Sequence, residues 1–436
     1  MNEGRRDVVL MLAGAAAALA GPRVLAAEPG SSSEGGMPAN SRATTDRVSD
    51  ERFWSQVRAQ FTVDPQFLNL NNAGVSPQPT AVQDAVIANY RFANLLPPVN
   101  MWDRLDAGRP AIKAGLAALV DCNGDEIALN RNSTEGLCTV VFGTPLKRGD
   151  EVVLSDWDYD SLRHAWEQRA QRDGVTLRYA RYHPMDSDTA IVRAYADAIG
   201  PRTRAVYMTQ MLHYTGRVLP VKDIVAVARA RARSAITVVD AAQSFAQMPV
   251  SFRSIDCDFL AVSLHKWLCA PFGTGMLVGK REQLATLWPL IAPYDDMPPG
   301  VDKFDGSSLG TYSSASEQGI AQAITFHNSL GAELLHARLL SLTRYWVARA
   351  SDIPGFRLHT PVESDLQGAL SLFSIDGFDP PTLEKRLMDE WKIHVVTRQR
   401  KDVYGLRVSP HAYTSLADLD NFLRALRSIA TDHRGA

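Results

Sequence analysis

Between Asp125 and Lys280 the chain alternates short apolar runs with stretches whose apolar residues recur with helical spacing, without an internal sequence repeat. Seven runs read as strands, namely "DEIALN", "DEVVLS", "VTLRYA", "RAVYMT", "AITVVD", "DFLAVS" and "GMLVGK". Segments such as "SLRHAWEQRAQR" and "VKDIVAVARARAR" carry the helical period between them. This alternation predicts an α/β fold, a mostly parallel seven-stranded sheet sandwiched by helices. After residue 300 the pattern changes to long helical stretches ("EQGIAQAITFHNSLGAELLHARLLSLTRYWVARAS") and then to an α+β segment containing "KIHVVTRQR", "YGLRVSP" and a last helix "SLADLDNFLRALRSIA". The expected organisation is an N-terminal arm and large domain over 49–300 and a smaller C-terminal α+β domain over 301–436.

In sheets of this kind ligands sit beyond the carboxyl ends of the strands, so the polar residues that follow each apolar run are the ones to collect. Asp240 and Gln243 follow "AITVV", and Ser263, His265 and Lys266 follow "DFLAV". Ser133 and Thr134 follow "IALNRN" and open a helix, and Asp156 to Tyr159 follow "VVLS". Lys266 is the odd member, because "AVSLHKWLCAPFGTGMLVGK" carries its amine toward the interior. An acid and a lysine at one sheet edge, with hydroxyls at a helix N-terminus nearby, suit a phosphorylated, electron-withdrawing cofactor. Pyridoxal 5'-phosphate makes this set of demands: a lysine for the Schiff base, a carboxylate to keep the ring nitrogen protonated, and N–H and hydroxyl donors for the phosphate.

Composition narrows the partners. A formal net charge of −2 over 436 residues, with no extended basic run, lacks the electrostatic footprint of a nucleic-acid binder and favours small molecules. The four cysteines show no Cys-x-x-Cys spacing and no His partner set, so neither a disulfide scaffold nor a metal site is expected. The first residues, "GRRDVVLMLAGAAAALAGPRVLAA", pair Arg5 and Arg6 with an apolar run from Val8 to Ala20 and a small-residue cleavage pattern. They read as an export signal over 1–27, of twin-arginine type, followed by a disordered linker over 28–48. A periplasmic protein, free of the membrane once the signal is cleaved, is the expectation.

"VVDAAQSFAQMPV" followed by "DFLAVSLHKWLCAPFGTGML" resembles the Asp-x-x-Gln and Ser-x-His-Lys signatures of the class V aminotransferase-like enzymes, which are fold type I pyridoxal-phosphate proteins. "FLNLNNAGVSPQPTAV", "LNRNSTEGL", "DYDSLRHAWEQRA", "TGRVLPV" and "GLRVSPHAYTSLADLDNFLRAL" are similar to its isopenicillin-N-epimerase-like branch, from about residue 66 onward. The resemblance implies a role for each matching position. Lys266 would be the Schiff-base lysine and the acid/base at the substrate's α-carbon, Asp240 the partner of the pyridine nitrogen, and Gln243 the donor to the ring's phenolic oxygen. Ser133, Thr134, Ser263 and His265 would hold the phosphate, and Tyr159 would stack on the ring. Arg407 would clamp the substrate's α-carboxylate, with Asn71 and Asn72 in an arm folded over the site. Thr311, after Gly310, would reach the phosphate of a neighbouring subunit, which implies a homodimer.

The match has departures. Gln210 and His213 stand in "TQMLHYTGRVLPV" where many relatives have Ser-His and Tyr, and the last cysteine of the chain is Cys269. The mobile-loop thiol that cysteine desulfurases use is therefore missing. The expected activity is an aminotransferase-type transformation at the α-carbon of an amino acid or amino-acid-derived metabolite, such as a siderophore or peptide. Epimerisation or a C–S or β-elimination on the same scaffold is the alternative, and a non-catalytic binding protein is the remote one.

Overall fold

The computed structural model describes residues 47–293, 297, 300–363 and 365–435. The expected export signal and residues 28–46 of the expected linker lie outside the described residues. The central sheet consists of β1 (Ile127–Asn130), β2 (Glu151–Ser155), β3 (Thr176–Ala180), β4 (Thr203–Thr209), β5 (Ile236–Asp240), β6 (Phe259–Ser263) and β7 (Gly275–Gly279), in the spatial order β1-β7-β6-β5-β4-β2-β3. Strands β2 to β6 pair in parallel. Strand β7 runs antiparallel to both of its neighbours, β6 and β1.

Every residue of β2, β6 and β7 is buried, which explains why these strands are continuous apolar runs. Alternate side chains feed two separate cores. Val153, Val239, Leu260 and Val278 face one helical layer, and Val152, Val238, Phe259 and Leu277 face the other. The register sets the carboxyl ends level: Thr209 pairs with Asp240, and Asp240 with Ala261.

A second sheet of β8 (Phe356–Leu358), β9 (Ser371–Ile375), β10 (Val396–Arg400) and β11 (Val403–Val408) is antiparallel, in the order β10-β11-β9-β8. It has its own core, where Trp346 packs edge-on against Phe373 and Phe422. The helical stretch after residue 300 is broken at Gly331, which takes φ +85°, a value an L side chain avoids. The helix Ser314–Leu330, expected in the C-terminal unit, packs instead on Thr80–Leu95 and Arg109–Val120, and its Ile320, Ala323 and Ile324 join a core of the large sheet. Beyond Gly331, Leu334, Leu335 and Leu339 pack in a separate cluster with Trp54 and Trp267, and the helix enters the second core only from Leu342, well past residue 301. The N-terminal arm crosses the other way. Leu68–Asn69 pairs in parallel with Ile393–His394, Asn71 bridges to Ser409, and Leu70 belongs to the second core.

Candidate active site

At the carboxyl ends of β4, β5 and β6, facing the second sheet, lies a cavity of about 240 Å³. Lys266 and Asp240 both line it. Lys266 sits one turn beyond β6 in a tight loop: Cys269 N donates to its carbonyl at 3.2 Å, Ala270 N to Leu264 O at 3.1 Å, and Leu264 N to Thr274 O at 3.0 Å. Cys269, at φ +55°, closes that loop in the left-handed region. The Lys266 amine makes no hydrogen bond and no ion pair among the described residues. Burial lowers its pKa to about 8; Asp240 works against this, while Arg407 and Arg398 add to it.

Asp240 ends β5. Its Oδ1 accepts from Ala242 N at 2.9 Å, and the second oxygen accepts nothing among the described residues. Burial raises its pKa, and the Ala242 hydrogen bond and Lys266 oppose that rise. A half-buried amine and a buried acid therefore line one cavity without pairing with each other. An amine and an acid lining one cavity suit a ring that carries both a basic nitrogen and a carbonyl.

The rest of the donor set agrees with that shape. Asn132 caps the helix Ser133–Gly143, its side chain accepting from Glu135 N at 3.0 Å. Ser133 N donates to Ser263 Oγ at 3.1 Å, and the two hydroxyls lie 2.9 Å apart. Thr134 N–H and its hydroxyl have no partner among the described residues and line the cavity. Hydroxyls, an unpaired N–H and the positive end of a helix dipole suit a phosphate. The loop can lie this close to the sheet only because position 275 is glycine: a Cβ there would stand 2.5 Å from Asn132 Cα. His265 Nδ1 donates to Thr274 O at 3.0 Å, which fixes the tautomer, and burial lowers its pKa.

Gln243 Nε2 donates to Ala73 O at 2.9 Å, and Trp267 Nε1 donates to Gln243 Oε1 at 3.0 Å, so one N–H of the amide is left to face the cavity. Tyr159, 40% exposed, meets His213 edge-on with centroids 5.0 Å apart. Arg407 is 2% exposed yet pairs with no carboxylate among the described residues. Its Nη1 donates to His213 O at 2.9 Å and its Nη2 to Asn71 Oδ1 at 2.7 Å, while Nε is unpartnered. Burial first, and Arg398 second, lower its pKa to about 9.

Three expected site residues do not line the cavity. Asn71 stands one step behind it, holding Arg407. Asn72 is fully buried, donating to Ser409 O at 2.8 Å and accepting from Tyr413 Oη at 2.7 Å, so its amide is spent on the arm rather than on a ligand. Thr311 is exposed ahead of the helix Ser314–Leu330 and away from this chain's own cavity. Conversely, Asn132, Thr209, Met211, His213 and Arg398 line the cavity without having been singled out as ligands. Thr209 follows "RAVYM" at a strand end, and the rule that found Asp240 would have found it too. Among the described residues no three His, Cys, Asp or Glu side chains converge as a metal requires.

The family model described as Aminotransferase class-V matches residues 68–425, so the chain belongs to that family. It is 30% identical over 403 residues to isopenicillin N epimerase of Amycolatopsis lactamdurans, covering 86% of this chain and 98% of the epimerase. The Streptomyces clavuligerus isopenicillin N epimerase is likewise 30% identical, over 396 residues, with 86% and 98% covered. Among solved structures, the apo cysteine desulfurase of Thermococcus onnurineus NA1 superposes with a TM-score of 0.77 at 20% identity, covering 86% of this chain and 98% of that one. The cystine C-S lyase C-DES, in complex with its product cysteine persulfide, gives a TM-score of 0.75 at 22% identity, with 83% and 98% covered. These structural likenesses show the fold.

Proposed function

We propose that the chain holds pyridoxal 5'-phosphate on Lys266 and moves a proton at the α-carbon of an amino acid or amino-acid-derived metabolite. The observation that carries this is that Lys266, half-buried, and Asp240, buried, line one cavity without pairing with each other. When bound, the cofactor supplies an electron-withdrawing ring that takes up the electron pair released at the α-carbon. The chain's own residues do the rest. Asp240 offers its free oxygen to a protonated ring nitrogen, and Gln243 offers its spare N–H to the ring oxygen. Ser133, Thr134 and Ser263, with His265 beside them, hold the phosphate at the helix N-terminus, and Tyr159 covers the ring. Arg407, oriented by Asn71 and by His213 O, takes the substrate carboxylate through its fork of donors. Lys266, with a pKa of about 8, exchanges a proton near neutral pH.

Transamination and epimerisation both begin with that proton transfer. Epimerisation is the second reading because two relatives at 30% identity are isopenicillin N epimerases. The absence of any cysteine after Cys269 speaks against a desulfurase that needs a loop thiol. We further propose export by the twin-arginine route, supported by Arg5, Arg6 and the apolar run behind them, and a homodimer in which Thr311 serves the neighbour's site, supported by its exposure. The test is borohydride reduction of the protein loaded with pyridoxal phosphate, followed by peptide mass mapping. The cofactor mass is expected on the peptide that carries Lys266, and on none in Lys266→Ala. A mass increment elsewhere, or none, refutes the assignment. Exchange of the α-proton with deuterium in a panel of amino acids, with and without chirality change, separates epimerisation from transamination.

A further inference from the structure

Arg398 has no role in the reading above, yet its side chain lines the same cavity as Arg407. Its one hydrogen bond is from Nη1 to the carbonyl of the preceding Thr397, at 3.0 Å, and no carboxylate among the described residues pairs with it. The register explains the placement. Strand β10 pairs with β11 so that Val396 stands opposite Arg407 and Arg398 opposite Gly405. Side chains alternate between faces, so Arg398, two residues from Val396, shares a face with Arg407 as its diagonal neighbour. Such diagonal pairs lie roughly 7–8 Å apart, which long side chains easily span. Gly405, opposite Arg398, has no side chain to screen it.

Charge counting makes the pair informative. Among the groups that line the cavity, Lys266, Arg398 and Arg407 are the cationic types and Asp240 is the one acid. In the function proposed above Arg407 would be taken by the substrate's α-carboxylate and Lys266 by the cofactor, whose phosphate would sit in its own cup at Ser133 and Ser263. Two like charges on neighbouring strands repel, and Arg398 helps to depress the pKa of both Arg407 and Lys266. Arg398 is thus the one cationic side chain lining the cavity for which that reading names no anion.

We propose that Arg398 is a second anion contact and that the substrate is an amino acid carrying an acidic group on its side chain, a few carbons from the α-carbon. This rests on the function proposed above, in which Arg407 takes the α-carboxylate. Both contacts are made without covalent change, so the step is binding alone.

The test is equilibrium titration of the pyridoxal-phosphate-loaded protein, read as the change in the cofactor's visible absorption and, separately, as a thermal shift. L-glutamate is compared with L-glutamine, and L-α-aminoadipate with its side-chain amide, in wild type, Arg398→Gln and Arg407→Gln. Wild type is expected to favour at least one acid over its amide by about tenfold or more, the scale of a lost charge-assisted hydrogen bond. In Arg398→Gln that ratio should fall to within about twofold of one, whereas Arg407→Gln should weaken acids and amides together. Equal affinity for acid and amide in wild type overturns the proposal, as does a preference that survives in Arg398→Gln. If Arg398→Gln instead releases the cofactor, Arg398 belongs to the phosphate and the proposal also falls. Should none of the amino acids perturb the bound cofactor in wild type, it is the amino-acid reading of the site that fails, and the second contact goes with it.

Discussion

Lys266 is expected to titrate at about 8, and that single displacement from the ordinary 10.5 carries a large kinetic consequence. At pH 7 about one amine in ten is then neutral, against roughly three in ten thousand at the ordinary value, a gain of about 300-fold in the form that can attack a carbonyl. The cause is first burial, which disfavours the ammonium. Asp240 pulls the other way, and the charges of Arg407 and Arg398 reinforce burial. Replacing Asp240 by Asn removes the one opposing anion and should move the midpoint down; Arg398→Gln removes a cation and should move it up. Trace acylation of the cofactor-free protein from about pH 6 to 11, read by mass spectrometry on the peptide that carries Lys266, measures the midpoint directly. The linkage has a definite sign: between about 8 and 10.5 the unfolded chain binds this proton and the folded chain does not. The lysine therefore costs stability below pH 8, and the cost is relieved as pH rises through that window. Denaturant midpoints of wild type relative to Lys266→Ala should show this rise. A labelling midpoint near 10.5, or one indifferent to both substitutions, would refute the reasoning.

Two further perturbations separate binding from architecture. Ser263→Ala leaves the Ser133 N–H and hydroxyl without their partner, so it should cost about 1–3 kcal/mol in denaturant unfolding and weaken retention of pyridoxal phosphate in dialysis; unchanged retention would remove Ser263 from the phosphate cup. Arg407→Met gives up two hydrogen bonds but relieves a buried guanidinium that no carboxylate neutralises, so thermal unfolding should move by only a few degrees while amino-acid binding weakens about tenfold or more. A collapse in stability with binding intact would make Arg407 structural.

The sequence discloses most of the large sheet because burial on both faces forces uninterrupted apolar runs, and such runs are visible one strand at a time. Lys266 and Asp240 are legible for the converse reason: each is an ionisable group delivered by an apolar strand, where only a function or a partner justifies its burial. Arg398 is not legible in this way. It lies in "VVTRQR", a strand of partly exposed residues whose basic character reads as a solvated edge, and only the pairing with β11 sets it beside Arg407. Asn71 and Asn72 are adjacent letters with opposite fates, and what separates them is the long-range bridge to Ser409 and the bonds to Arg407 and Tyr413. The break at Gly331 is not legible in the helical stretches after residue 300, because it is one residue among many helix formers, and its positive φ is set by where the two helices pack.

The arm from Leu68 to Ser76 shows why the site can hold so many unpaired charges. Its Asn71 orients Arg407, its Ala73 carbonyl orients Gln243, and Ser76 N donates at 3.2 Å to the carbonyl of His265, the residue before the lysine. Leu70 meanwhile anchors in the second core and pairs with it from both sides, donating from its N–H to His394 O and accepting from Ser409 N. One short segment thus ties the lysine loop of the large sheet to the arginine strand of the second sheet. Lys266, Arg398 and Arg407 each destabilise a cavity held empty, and apolar burial at Leu70 together with backbone hydrogen bonds on either side offsets that cost. Function and architecture are coupled here through the backbone of the arm. A change in how it seats would misplace the carboxylate clamp, the ring-oxygen donor and the lysine loop at once, although only Ala73 and Gly74 of the arm itself reach the cavity.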